Sequence, residues 1–178
     1  MALVNKKIPF ERQRQQSIAL ANRATDNGCF VYDIDYTQPK EKQGEQKSGC
    51  FDILALKIEN HKATQLLLIE VKTKASACTG NSGVKKHIDD MELYMKQAEI
   101  INVRRKEAEE VMDALDKIFQ VGKVDFSGLD KNTRSIFIYT DEAQSYIKEA
   151  QKYMGEAQKY KGVFSHEVLN EPWEFKNI

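Results

Sequence analysis

The stretch FDILALKIENHKATQLLLIEVKTK, residues 51–74, holds two apolar runs separated by a short polar segment. Runs of this length rich in Ile, Leu and Val are read as strands, here roughly 51–58 and 65–72, with ENHKAT as the connection. The second run, QLLLIEVK, is apolar on both alternations until its last residues, the pattern of a strand covered on both faces and therefore central in its sheet. Charges interrupt this background at particular places. Asp52 opens the first run, and Glu70 and Lys72 close the second, two residues apart. Residues i and i+2 of a strand project from one face, so Glu70 and Lys72 stand side by side while Val71 points the other way. If the runs pair as a hairpin, the start of the first lies beside the end of the second, and Asp52 comes near Glu70. Carboxylates brought together push one another toward protonation unless a cation intervenes. A hard divalent ion, bound by carboxylate, carbonyl and water oxygens, meets that need. An amine beside it can orient or deprotonate a water, or stabilise charge building on a phosphate. Asp52, Glu70 and Lys72 thus form a candidate phosphodiesterase centre.

Working outward from that stretch, Pro9 marks a helix start, followed by Phe10, Ile18, Leu20, Ala21 and Ala24 in a loosely helical pattern that DNG at 26–28 ends. CFVYDIDY, 29–36, alternates like a strand with one wetter face. Residues 37–49 are polar with Pro39, Gly44 and Gly49 and read as a loop. Beyond the quoted segment, ASACTGNSG is small and loop-like. The apolar positions Ile88, Met91, Met95, Ala98, Ile101, Ala108, Met112, Leu115 and Phe119 keep a helical period, as one long helix or two with a break near NVRRK. RSIFIYT, 134–140, is a strand, and Asp141 with Gln144 resembles a capping box opening another helix. That helix repeats EAQSYIK, EAQKYMG and EAQKYKG from Glu142, Glu149 and Glu156, which suits a core-packing stripe better than a dimer seam. GVFSHEVL is a last short strand, and Trp173 in the tail is placed to clip it down. The order α, β, β, β, α, β, α, β describes an α/β fold: a mixed central sheet flanked by helices.

The composition narrows what such a fold can do. With 178 residues, 41% of them apolar and 30% charged, the chain reads as a single globular domain. Cys29, Cys50 and Cys78 match no disulfide or zinc spacing, and no run is apolar enough for a signal peptide or membrane span, so a cytoplasmic protein without membrane contact is expected. His61, His87 and His166 have no metal-ligand spacing and read as ordinary surface or cap residues. TGNSG lacks the ending of a P-loop. Formal charge is zero, with 27 basic and 27 acidic side chains, so any contact with nucleic acid must be local.

Asp52 followed by Glu70-Val71-Lys72 resembles the D…(D/E)xK signature of the PD-(D/E)XK nuclease superfamily, and the element order along residues 9–140 agrees with its αβββαβ core. The resemblance implies a restriction-endonuclease-like or Holliday-junction-resolvase-like domain, with residues 141–178 as a helix-strand extension. It implies Mg2+ or Mn2+ held by Asp52, Glu70 and the Val71 carbonyl, with Lys72 acting on the attacking water. Glu11 matches the Glu that helix 1 often adds, and Gln97 the Gln often found in the helix after the ExK strand. Phe51 stands where the name-giving proline would be. The substrate implied is DNA, its backbone held by Lys6, Lys7, Arg12, Arg14, Lys40, Lys42, Lys47 and Lys74, and two paired active sites imply a homodimer. The alternative is a non-catalytic nucleic-acid- or protein-binding module on the same fold, using the Tyr-bearing heptads to hold a partner.

Overall fold

The structure, a computed structural model, describes residues 9–37, 50–79, 83–129, 133–148, 151 and 164–175. In it β2 (Cys50–Glu59) and β3 (Lys62–Lys72) form the expected antiparallel hairpin, but Asn60 and His61 alone make the turn. Both have positive φ, 52° and 59°. This is the backbone that a two-residue hairpin turn needs to match the twist of its strands. The strands reach further into ENHKAT than the polar residues suggest because loops from elsewhere pin the turn. His61 N–H donates to Asp26 O at 2.8 Å and accepts through its own carbonyl from Asp125 N–H at 2.8 Å.

β1 (Gly28–Thr37) pairs antiparallel with β2, while β4 (Thr133–Tyr139) and β5 (Phe164–Val168) add in parallel beyond β3, giving the order β1-β2-β3-β4-β5. The protein is therefore a mixed α/β fold, with a mixed sheet of five strands among the described residues. A parallel neighbour for β3 requires a crossover, and α2 (Val84–Met95) and α3 (Ala98–Phe119) supply it. β3 is central and covered on both faces. Leu66 and Leu68 pack with Ile88 and Met91 of α2 and with Ala108 and Met112 of α3. Leu67, Ile69 and Val71 pack on the other face with Ile18 and Ala19 of α1 (Phe10–Ala21) and with Leu169 and Phe175 of the tail.

Several expectations are corrected. The long helical stretch does break, but at Lys96–Gln97, not near NVRRK, which lies inside α3 with Arg104 buried. No Gly or Pro marks the true break, and the apolar period runs across it. Leu20 is 77% exposed and turned away from the core. Asp141 does not open a capped α-helix: it has φ 52°, begins the 3-10 turn Asp141–Tyr146, and its carboxylate is taken by Arg14, while Gln144 donates to Asn170. Most of the heptad repeat, residues 149–150 and 152–163, lies outside the described residues; at its start Ala143 is fully buried. Among the described residues no helix is long and apolar enough to cross a membrane.

Trp173 does clip the tail. The Arg14 guanidinium lies 4.4 Å from its ring centroid and 4.6 Å from that of Phe10, and Asn22 bonds both the Trp173 carbonyl and the Phe175 N–H.

Candidate active site

The β2–β3 ladder ends at Ile53 opposite Ile69, although each strand continues, β2 against β1 as far as Cys50 and β3 against β4 as far as Lys72. The sheet is thus split at one end. Asp52 fills the split: its Oδ2 accepts the Val71 N–H at 2.7 Å, replacing the lost ladder bond. A strand residue's N–H and C=O point to the same side, so the Val71 carbonyl also faces β2. The next carbonyl, that of Lys72, accordingly faces β4 and accepts from Thr140 N–H at 2.9 Å.

Glu70 and Lys72 stand on one face, as their spacing requires, with Nζ 2.6 Å from Oε1 and side chains only 5–6% exposed. The pair is positioned on a rigid central strand, and Leu66 and Leu68 on the same face keep water from the side below. Burial drives the Asp52 carboxyl well above its ordinary range, and the Glu70 charge adds to the effect; the Val71 N–H and, more weakly, Lys72 oppose it. Glu11 is raised as well, first by burial and then by Glu70, against the pull of Lys72 and Lys74. Asp52, Glu70, Lys72 and Glu11 therefore share one electrostatic environment.

The donor set suits a hard cation. Asp52, whose charge Glu70 disfavours, spans the split to Val71, and Mg2+ binds through one or two carboxylates while retaining waters. Among the described residues no group of three or more His, Cys, Asp or Glu side chains is arranged to hold a metal ion.

Two residues of this group were not foreseen. Gln15, 4% exposed, donates from Nε2 to Asp52 Oδ1 at 2.9 Å. It lies four residues after Glu11, on the same face of α1, and that spacing was the available signal. His87, read as a surface or cap residue, stands in the first turn of α2 with Nε2 3.3 Å from Glu70 Oε1. Burial lowers its pKa, and Glu70 partly restores it. Nothing local in the sequence announces this contact, which the crossover creates.

Other expected site residues lie elsewhere or serve other contacts. Gln97 sits at the N-terminus of α3 and donates to the Leu93 carbonyl. It lies beyond the end of α2, which runs on for eight residues past His87, about 12 Å along the axis, and this carries it away from Glu70. Arg14 is committed to Asp141 through a two-pronged pair at 2.9 Å. Arg12 pairs with exposed Asp35. Lys74 is exposed, within electrostatic reach of Glu11. Lys6, Lys7, Lys40, Lys42 and Lys47 lie outside the described residues.

Comparison with known proteins leaves the reading to these residues: no family model, no curated protein and no solved structure matches the chain.

Proposed function

We propose that the protein is a metal-dependent nuclease that hydrolyses phosphodiester bonds in DNA, on a restriction-endonuclease-like αβββαβ core. The observation that carries the reading is Asp52 inserted at the β2–β3 split, bonded to Val71 N–H beside the buried Glu70–Lys72 pair. The strand order supports it too, with an antiparallel β1-β2-β3 meander followed by a helical crossover to parallel β4.

In this reading Asp52, Glu70 and the Val71 carbonyl would hold Mg2+ or Mn2+, with Glu11 at the margin of the site. A divalent ion there supplies a Lewis acid for the phosphoryl oxygen and lowers the pKa of a water. Lys72, held by Glu70, presents an amine to the attacking water or to the charge that grows on the phosphate. Gln15 and Val71 N–H fix the Asp52 carboxylate, one donor to each oxygen. Exposed Arg12 and Lys74, with the lysines of residues 6–7 and 40–47, provide the backbone contacts.

The test is incubation of supercoiled plasmid with pure protein and Mg2+ or Mn2+, alongside Asp52→Asn and Lys72→Ala, each checked for folding by its melting curve. Nicking by the wild type that both variants lose is expected. A plasmid left intact with every cation, or cut equally by folded Asp52→Asn, refutes the assignment.

A further inference from the structure

A cleft of about 520 Å³ opens between β1 and α3, on the sheet face that carries α2 and α3. Tyr32, Asp33 and Tyr36 of β1 line it, with Arg104, Glu107 and Ala114 of α3. Adjacent strand residues normally face opposite ways. Tyr32 and Asp33 both reach the cleft because the register shifts there: Val31 opposes Ala55 and Asp33 opposes Leu54, leaving Tyr32 as the extra residue of a bulge. Bulges re-aim side chains in this way, often beside functional sites.

The chemistry inside is unfinished. Arg104 is only 6% exposed; its guanidinium lies 4.5 Å from the Tyr36 ring centroid and pairs with Glu107. Its Nε and the Tyr32 hydroxyl are buried and have no hydrogen-bond partner among the described residues. A buried donor left unmatched is costly, so a ligand that supplies an acceptor recovers that loss. The Asp33 and Glu107 carboxyls are the complementary half, acceptors that burial drives upward and that N–H donors would relieve. Together with Glu110 they disfavour an anionic ligand. What fits is flat and uncharged, with acceptors on one edge and N–H donors on another. Guanine offers O6 and N7 to an arginine and N1–H and N2–H to a carboxylate, with a ring face for tyrosine.

The cleft is also close to the candidate active site. Tyr36 pairs in register with Phe51 and stacks on it at 6.4 Å between centroids, and Phe51 directly precedes Asp52. We propose that the cleft between β1 and α3 takes up a single unpaired guanine from the nucleic-acid strand held at Asp52, Glu70 and Lys72. The inference rests on the nuclease reading for its substrate class, and an unpaired or extruded base is needed because a stacked one cannot enter.

The test measures binding by fluorescence anisotropy in EDTA, where no cleavage occurs. The probes are an oligothymidine of about fifteen nucleotides and the same strand with one central guanine. The guanine strand should bind about tenfold tighter, the discrimination of one good bidentate pair. Tyr32→Phe should reduce that preference. Ala114→Trp, at an exposed helix position on the cleft wall, should abolish it without touching the core. Equal binding of the two strands by a protein that nicks plasmid overturns the guanine site alone. A guanine preference without cleavage under any cation overturns the nuclease reading alone. A preference that survives Ala114→Trp overturns the placement in this cleft.

Discussion

Lys72→Met separates the energetics of the buried pair from its chemistry. Lys72 Nζ lies 2.6 Å from Glu70 Oε1, and both side chains are about 95% buried. Methionine keeps most of the apolar stem and removes the charge, leaving Glu70 to face the protein interior with His87 as its remaining cationic candidate at 3.3 Å. Breaking a buried pair from one side costs roughly 3–5 kcal/mol, because the surviving charge loses its compensation. His87 offsets part of this by taking a proton, so a net loss of about 2–4 kcal/mol is expected at neutral pH. For a chain of this size each kcal/mol corresponds to about 2–4 °C, so thermal unfolding followed by circular dichroism should come roughly 5–15 °C early.

The pH dependence carries the sharper test. In the wild type, burial and Lys72 hold the His87 pKa down against Glu70, so its proton is disfavoured in the folded state. Stability tied to His87 is then present above its unfolded pKa and falls as the pH drops below it. Removing Lys72 takes away one cause of that lowering, so His87 beside Glu70 loses less stability on acidification than it does in the wild type. The penalty of Lys72→Met should therefore be clearly smaller at pH ~5.5 than at pH ~8. The double variant Glu70→Gln with Lys72→Met removes both charges and should melt within a few degrees of the wild type while remaining inactive on plasmid. A single variant as stable as the wild type, a pH-independent penalty, or a double variant no better than the single would refute the buried-pair argument.

Asp52→Asn should raise the melting temperature by a few degrees in EDTA at pH ~7.5. The raised folded pKa of Asp52 means that its stabilising contribution is lost as pH rises through that value. Asparagine keeps an oxygen for Val71 N–H, and a flipped Gln15 amide can meet its amino group. Millimolar Mg2+ should stabilise the wild type but not this variant, as read by the shift in melting temperature; equal shifts would remove Asp52 from the cation site. His166, whose pKa burial lowers to about 4, should make the protein less stable as pH falls from about 6.5 toward 4, because the unfolded chain binds the proton first. His166→Gln should flatten the denaturation profile across that window, and an unchanged profile would show that the imidazole titrates normally.

The parts of this molecule legible in advance share one physical origin. β3 was recognisable because a strand buried on both faces must be apolar at every position, and residues 66–69 leave no other environment for themselves. Asp52, Glu70 and Lys72 were legible for the opposite reason, as charges placed where that strand and its hairpin partner tolerate them only in company. What stayed hidden depends on contacts between segments distant in sequence. His87 reaches Glu70 only because the crossover lays α2 over β3, and Gln97, equally polar, is carried away by the same helix. Asp141 carries the capping signature but is drawn into another conformation by Arg14, some 127 residues earlier. The helix break at Lys96–Gln97 has no local marker because α2 and α3 both cover one sheet face, so the apolar period survives the change of axis.

The bulge at Tyr32 follows the same logic and ties fold to chemistry. A strand pairing without interruption from Gly28 to Thr37 would turn either Tyr32 or Asp33 away from α3, and the cleft would lose a donor or an acceptor. The extra residue keeps both, at the expense of one interrupted stretch of ladder beside β2. The β2–β3 split does the equivalent for Asp52, which gives up a backbone pairing and replaces it with its own carboxylate on Val71 N–H. Both interruptions involve β2, on its opposite edges, and Phe51 connects them: it pairs with Tyr36 on one side and precedes Asp52 on the other. A substitution that restores regular pairing at either place should therefore stabilise the sheet and impair the site, which is the trade expected where backbone irregularity serves function rather than folding.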